Sequence, residues 1–514
     1  GIEAKITLAP HGRFSLSYGV AFSSASAEEA ERALSAALAT HDPFAEAEER
    51  FNLWMEENAP RLTLDDPDLL RVYYYRFFVI KCAVHTPSQL FADPIFPGRA
   101  VYESPFGEWF GCPIGLPIAL QLEEMRWMKG REAARDHIGA WCLGLGHTQT
   151  YIQYTPMAIW RFCLERGDLS LMKEAYPACR AFTLRGLPPE RAGELPITKG
   201  SWLTGAEYQP SFYQYTTPPW DWRYDNEGIR AGLADAPRRL LRADAAAMHL
   251  ANLTAVRDMA ERLGYRTDAA LFGAAAAEAE RTLTDRLYSR EHRFFFDRDV
   301  ERDALCDRAA GYAGFLPLLF GLLGDEYAHV LDALSEGRFA AGLTLTTAAK
   351  DCPMYWFDSH IVYGGDTSYA TPHHYPTAWN GPIWPFAVSL VLSALGRAAE
   401  RMPEYRPLFL RLFAEYTELH FLGGERTLPC IVEHYRVGDG MPLSPYTEYF
   451  HSKWIDLFLS YFAGIGYEEG EVRFAPLTDV DFVLEGVMLG GKCYRFEQKH
   501  ADGRLVRTAT VMAP

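Results

Sequence analysis

The sequence predicts a mainly α-helical chain arranged as an α/α toroid, with small β-strand regions at both ends. Three observations predict it. Apolar residues recur at helical spacing from residue 27 to residue 464, the helical stretches are joined alternately by short and long links, and β-rich alternation is confined to the termini. In chain order, Ile6-Thr7-Leu8 and Arg13 to Tyr18 alternate around the turn signal Pro10-His11-Gly12. Helices are expected over 27–40, 44–57, 67–83, 115–129, 131–144, 149–165, 169–185, 237–263, 266–287, 303–322, 325–335, 383–398, 404–420 and 451–464. Ser26 stands before Glu28 and Glu29, acids that suit a helix N-terminus. Asp66-Pro67 puts proline at a first helical position. Gly130, Gly167-Asp168 and Gly264-Tyr265-Arg266 read as tight links. Val472 to Phe474, Phe482 to Leu484, Lys492 to Gln498 and Leu505 to Met512 read as strands.

The 514 residues are 48% hydrophobic and 23% charged, which excludes disordered and low-complexity classes. No apolar run reaches the length of a membrane-spanning helix, so no membrane partner is expected. A net charge of −17 repels phosphate backbones, so nucleic acid is not expected either. Aromatic residues reach 14%, a load that suits a cleft stacking on sugar rings as well as a core. Nine scattered cysteines with no CxxC fit buried thiols in a reducing compartment, which favours a cytoplasmic location. The chain starts at Gly1, which leaves a periplasmic or secreted origin open. Nothing in the sequence speaks to oligomeric state.

In a toroid of this kind chemistry belongs on the long links, here 84–114, 186–236, 336–382 and 421–450. In the second, Trp220-Asp221-Trp222-Arg223-Tyr224-Asp225-Asn226-Glu227 sets acids against aromatic walls. Such walls strip hydration and raise a carboxyl pKa, as a general acid requires. The plainer alternative is a surface loop whose acids pair with Arg223 or Arg230. In the fourth, Glu433 ends an apolar run and precedes His434-Tyr435-Arg436. A carboxylate held there could take a proton from water, or could be a structural partner of Arg436 or His434. In the third, Trp356, His373, His374, Trp379 and Trp384 alternate with Gly and Pro, offering flat faces and fixed polar groups. Adjacent His373 and His374, with no carboxylate at ligand spacing, do not make a metal site. Trp109 is a pocket-wall candidate, whereas Glu123 and Glu124 are expected to face solvent or Arg126.

These loops, in this order, resemble inverting glycosidases with an (α/α)6 barrel. The nearest group contains trehalases, processing α-glucosidases and mannosylglycerate hydrolases, in glycoside hydrolase families 37 and 63. Trp379-Asn380-Gly381-Pro382-Ile383-Trp384-Pro385 is similar to that group's aromatic–x–Gly–Pro–[Ile/Val]–Trp segment opening a barrel helix. Glu433-His434-Tyr435 is similar to its Glu–x–Tyr motif, and Phe450 to Trp454 to the start of its last barrel helix. His147-Thr148-Gln149 is a weaker echo. The resemblance covers roughly 65–465. It implies 65–465 as the catalytic barrel and 1–25 as the tail of an N-terminal β-sandwich. Residues 26–64 are then linker helices and 466–514 terminal strands.

The resemblance further implies hydrolysis of an O-glycosidic bond in an oligosaccharide or glycoconjugate, by inversion and without a cofactor. Glu433 would be the general base. For the general acid two placements compete. Trp220-Asp221-Trp222-Arg223 keeps a Trp–Asp pair, whereas Gly232-Leu233-Ala234-Asp235-Ala236-Pro237-Arg238 keeps the surrounding motif but has Ala234 at the acid's position. Asp221 is preferred, with Asp225 and Glu227 in reserve. Trp109, Gln149, Trp220, Trp222, Arg223, Trp356, His373, His374, Trp379, Trp384 and Tyr435 would contact the sugar. The aromatic–Asp pair with which the group grips its sugar is absent at Trp109-Phe110-Gly111-Cys112. The competing readings are a polysaccharide lyase or phosphorylase on the same toroid, and a non-catalytic carbohydrate-binding protein.

Overall fold

The structure is a computed structural model that describes residues 7, 20–21, 23, 26–39, 42–85, 98–104, 113–199, 204–206, 209–212, 239–352, 355, 379–421, 424–444, 446–468 and 470–512. Apart from Thr7, the strands expected over 6–18 fall outside the described residues. Contacts divide the chain into Gly1–Asn58 and Ala59–Pro514. The first unit contributes helices Ala27–Ala39 and Pro43–Asn58, neither with a buried residue. Ser26 caps the first by accepting the Glu29 N–H at 3.1 Å.

In the second unit, burial sorts the helical elements into two kinds. Ile118–Met125, Thr155–Arg166, Ala243–Leu263, Tyr312–Leu318, Pro385–Arg401 and the turn Ile455–Leu457 with Phe458–Phe462 are buried around most of their circumference. Pro67–Ala83, Glu132–Cys142, Leu169–Leu184, Arg266–Leu287, Asp325–Leu331 with Asp332–Ser335, and Arg406–Glu418 bury one face only. The two kinds alternate along the chain. Each inner element packs on the next, and the last packs back on the first, so six inner and six outer elements make a closed (α/α)6 ring among the described residues. Links from inner to outer elements are tight, as at Gly167 and Gly264, whose positive φ lets the chain reverse. Links from outer to inner elements are longer, running to 58 residues between Leu184 and Ala243.

Several expected helices differ in detail. The one expected over 149–165 starts only at Thr155, because Gln153 is tied into the preceding turn through the Thr148 carbonyl and Trp141 Nε1. The one expected over 303–322 is a short strand, Ala304–Leu305, and then a 3-10 helix, Tyr312–Leu318. Gly314 is pressed against Phe294, and Pro317 offers no N–H, so a regular α-helix does not form there. The one expected over 451–464 is a short α-turn running into a π-turn, with Ala463 N–H donating to the Phe458 carbonyl.

The terminal strands form an antiparallel sheet in the order Arg61–Leu64, Phe482–Leu489, Lys492–Ala501, Arg504–Val511. Its first member lies in the stretch expected to hold only linker helices. This sheet and the chain leading into it lie against the tight-turn end of the ring. Gly490 N–H donates to the Glu165 carbonyl, Gly167 abuts Gly490 and Gly491, and Arg406 pairs with Asp479.

The ring is joined by buried charge. Glu123 and Glu124 do not face solvent; they are 1% and 0% exposed. Glu123 accepts from Tyr154 Oη (2.8 Å), Arg161 Nη1 (2.7 Å) and Lys453 Nζ (2.5 Å). Glu124 accepts from Arg76 Nη2 (2.8 Å) and from the N–H groups of Trp454 and Asp456. Asp456 is held by Arg126, Lys453 and Trp127 Nε1, and Arg126 reaches on to Glu165. Four acids and four bases thus tie the first two inner helices, Ile118–Met125 and Thr155–Arg166, to the last inner turn. Burial opposes ionisation of Asp456, but Arg126 and Lys453 outweigh it and hold its carboxyl far below the usual range. At Glu124 burial wins over Arg76, and its pKa is raised. We expect Lys453→Met, which strands Glu123 and Asp456, to cost about 3–5 kcal/mol. A urea-unfolding midpoint equal to that of the unaltered chain would contradict this.

Burial also pushes His137, His420 and His451 down to about 3 and His249 to about 4. An unfolded histidine binds its proton near pH 6.5, so between about 6.5 and 3 the unfolded chain takes up protons that the folded chain refuses. The stability these four sites carry is complete above pH 6.5 and falls as the pH drops. Lowering the pH from 7 to 5 at fixed ionic strength should cost about 1–2 kcal/mol per site. A flat urea midpoint over that interval would refute it.

Candidate active site

At the long-loop end, Ile383 and Tyr435 exchange backbone hydrogen bonds (2.9 and 2.8 Å), which lays the Trp379–Trp384 segment beside Glu433–Tyr435. Neighbouring bonds fix the second segment further. Val432 bridges to Thr447, Leu443 N–H donates to the His434 carbonyl at 3.0 Å, and Ile431 N–H donates to Tyr75 Oη at 2.8 Å. Tyr435, 1% exposed, turns its phenol back to accept the Val432 N–H at 2.9 Å. It is therefore part of the frame that holds Glu433.

Glu433 has a side chain 13% exposed. Its Oε2 is buried and takes no hydrogen bond from the described residues. Nor does any described Lys or Arg pair with it, unlike the acids of the buried network. Arg436, one structural partner open to it from sequence, is paired with Asp439 instead. Two imidazoles flank the residue. His451 Nε2 lies 3.1 Å from the Glu433 carbonyl, and burial keeps this ring neutral, so Nε2–H donates to that oxygen. His434 Nδ1 lies 3.5 Å from Glu433 Oε2.

Trp379 and Trp384 are 1% and 2% exposed and stack on each other at 3.9 Å with an 18° interplanar angle. Trp384 in turn lies flat on His434, at 4.6 Å and 9°. Among the described residues these indoles are a pile behind Glu433, with no open face. Gln149 stands elsewhere at this end. Its Nε2 donates to the Trp141 carbonyl at 2.7 Å, and it lines a hollow of about 530 Å³ over the outer helix Leu169–Leu184, shared with Tyr151, Phe182, Arg185 and Lys199. Asp221, Trp220, Trp222, Arg223, Asp225, Glu227, Trp109, Trp356, His373 and His374 lie outside the described residues.

Sequence reasoning missed the groups that anchor the segment meant to carry the acid. Asp297 accepts from Ala243 N–H (2.9 Å) and Gln209 Nε2 (3.1 Å), and Arg242 Nη2 donates to Gln209 Oε1 (2.9 Å) and pairs with Asp244. Residues 209–212 and 239–244 are thereby pinned together, and Ile197–Lys199 pairs with Arg239–Leu241 beside them. Burial raises the Asp297 carboxyl pKa against the pull of Arg242. Charges standing at the entry to an apolar helix, Arg242 and Asp244, were the available signal. Among the described residues no three His, Cys, Asp or Glu side chains form a metal cluster, and no helix is long and apolar enough to cross a membrane.

Comparison with known proteins adds the following. No curated protein matches the sequence. Among solved structures, a sialidase superposes with a TM-score of 0.70 at 19% identity, covering 89% of this chain and 40% of that one. This chain thus spans well under half of the sialidase. A GH63 mannosylglycerate hydrolase from Thermus thermophilus, in complex with glucose, gives 0.52 at 15% identity over 75% of this chain and 98% of that one. A GH78 family rhamnosidase of a Bacillus species gives 0.54 at 13% identity over 88% and 41%. At these identities the likeness speaks for the toroid alone. The sequence itself matches the mannosylglycerate hydrolase MGH1-like glycoside hydrolase domain over residues 120–452, from the first inner helix to the serine that receives Arg76. With well over half of its length inside that match, the chain belongs to the MGH1-like glycoside hydrolase family.

Proposed function

We propose that the protein is an inverting glycoside hydrolase acting on the end of an oligosaccharide or glycoconjugate. One observation carries this reading: Glu433 is a carboxyl on a segment whose neighbours Ile431, Val432, His434 and Tyr435 are fixed by hydrogen bonds, and it is paired with no described Lys or Arg. A fully buried structural glutamate is normally neutralised, as Glu123 and Glu124 are. An unneutralised one is fit to take a proton from water.

Inversion needs a second carboxyl about 6.5–9.5 Å away to protonate the leaving oxygen, with room for the water between them. Asp221 is assigned that role; it lies in the sequence between Gln209 and Arg242, which Asp297 helps to hold together. Glu433 takes the water's proton as the water oxygen attacks the anomeric carbon from the opposite face. Attack at the end of a sugar chain is favoured by the sheet lying against the other end of the ring, which supports a site entered from one side. The scheme uses no cofactor, and the substrate class is neutral or charged sugar; neither nucleic acid nor membrane enters it.

A panel of 4-nitrophenyl glycosides and natural disaccharides, with NMR of the first-formed anomer, tests the reading. The expected product is the inverted anomer, and retention would contradict the scheme. Glu433→Gln and Asp221→Asn should each lower kcat by about 10²–10⁴-fold with an unchanged circular dichroism spectrum. Turnover at the unaltered rate in either variant would strip that residue of its role.

A further inference from the structure

We infer that His434 is a positioning residue for the general base, holding the Glu433 carboxylate through Nδ1–H. The inference rests on the reading of Glu433 as that base. Its starting point is the buried oxygen Oε2, which no described residue hydrogen-bonds, with His434 Nδ1 3.5 Å away. A buried carboxylate oxygen left without a donor is costly, and hydrogen bonds in a catalytic site often close only when substrate arrives. The ring that offers the nearest donor is held unusually firmly. It lies flat on Trp384, which lies flat on Trp379, so its edge is presented to Oε2 in one orientation. Its carbonyl is tied to Leu443 N–H, and the neighbouring Tyr435 is tied on both sides to Ile383.

The pile of rings therefore has a job other than offering sugar a stacking face. It fixes the imidazole, the imidazole fixes Oε2, and Oε1 is left to take the proton from water. Loss of the donor leaves the carboxylate free to rotate and makes its charged form less favourable, so it holds its proton to higher pH. The titratable and charged groups around the pair, among the described residues, are His451 and Tyr449 from the segment before the last inner turn, Tyr435, and Arg76 from Pro67–Ala83. His451 is kept neutral by burial, and Arg76 is paired with Glu124, so neither takes over the role of donor.

Two substitutions separate positioning from packing. His434→Phe keeps the flat ring on Trp384 and removes the donor, whereas His434→Asn gives up the ring and returns an N–H close to the place of Nδ1. With the fastest 4-nitrophenyl glycoside of the panel, Phe should lower kcat by about 10–100-fold, leave KM within about threefold, and move the acid limb of kcat/KM to higher pH. Asn should recover kcat to within about fivefold. An infrared titration gives the same answer without substrate. The carboxylate band lost in Glu433→Gln isolates Glu433, and in His434→Phe its midpoint should rise. A Phe variant with unaltered kcat, acid limb and band midpoint overturns the inference. So does an Asn variant no better than Phe. If Glu433→Gln itself turns over normally, the base reading falls and this inference falls with it, whereas loss in Glu433→Gln beside a normal Phe variant sinks this inference alone.

Discussion

The molecule depends on how its ring is joined. The first inner helix and the last inner turn come from residues about 330 positions apart, and they meet through Glu123, Glu124, Lys453 and Asp456. A purely apolar seam would let one helix slide along the other. Charges that must each find a partner allow one register, because any slip leaves a buried ion alone. Arg76 and Arg161 extend the constraint to the first outer helix and the second inner one, and Arg126 to Glu165. With equal numbers of acids and bases the cluster is formally neutral, so it fixes geometry without adding to the chain's large negative charge.

That seam is also the foundation of the site. Ser452, Lys453 and Trp454 belong to it, and His451 is the next residue back, donating to the Glu433 carbonyl. The candidate base thus hangs from the same short segment that joins the ring. On its other side it is held by the Ile383–Tyr435 pairing, which belongs to the fifth inner helix. Two inner elements therefore set the position of one carboxylate.

Much of this was legible in the sequence, for local reasons. The cap at Ser26, proline at the first helical position at Pro67, and the glycine stops at 167 and 264 all act within a few residues, and each formed as expected. What escaped was decided by distant partners. Glu123 and Glu124 look like a solvated pair on a helix, and only Lys453 and Arg76, far along the chain, make them interior. Trp379 and Trp384 were recognisable as a motif, but whether an indole faces sugar or another indole is settled by what lies across from it. The 3-10 geometry at Tyr312–Leu318 was foreshadowed by Gly314 and Pro317, which hydrophobic spacing overrides in a simple reading. Asp297 and Gln209 had no local mark at all, since their role is to fasten the ends of a segment between them.

The sheet order carries a consequence for biosynthesis. Strand Arg61–Leu64 is among the first parts of its unit to leave the ribosome, yet its neighbour in the sheet is Phe482–Leu489. Likewise the acids of the first inner helix wait for Lys453 and Asp456, which follow about 330 residues later. Over that interval the nascent polypeptide therefore carries an orphan strand and uncompensated carboxylates, and it cannot commit to its final topology early. Such a chain must be kept from premature association by its own negative charge or by chaperones until those distant partners have been made.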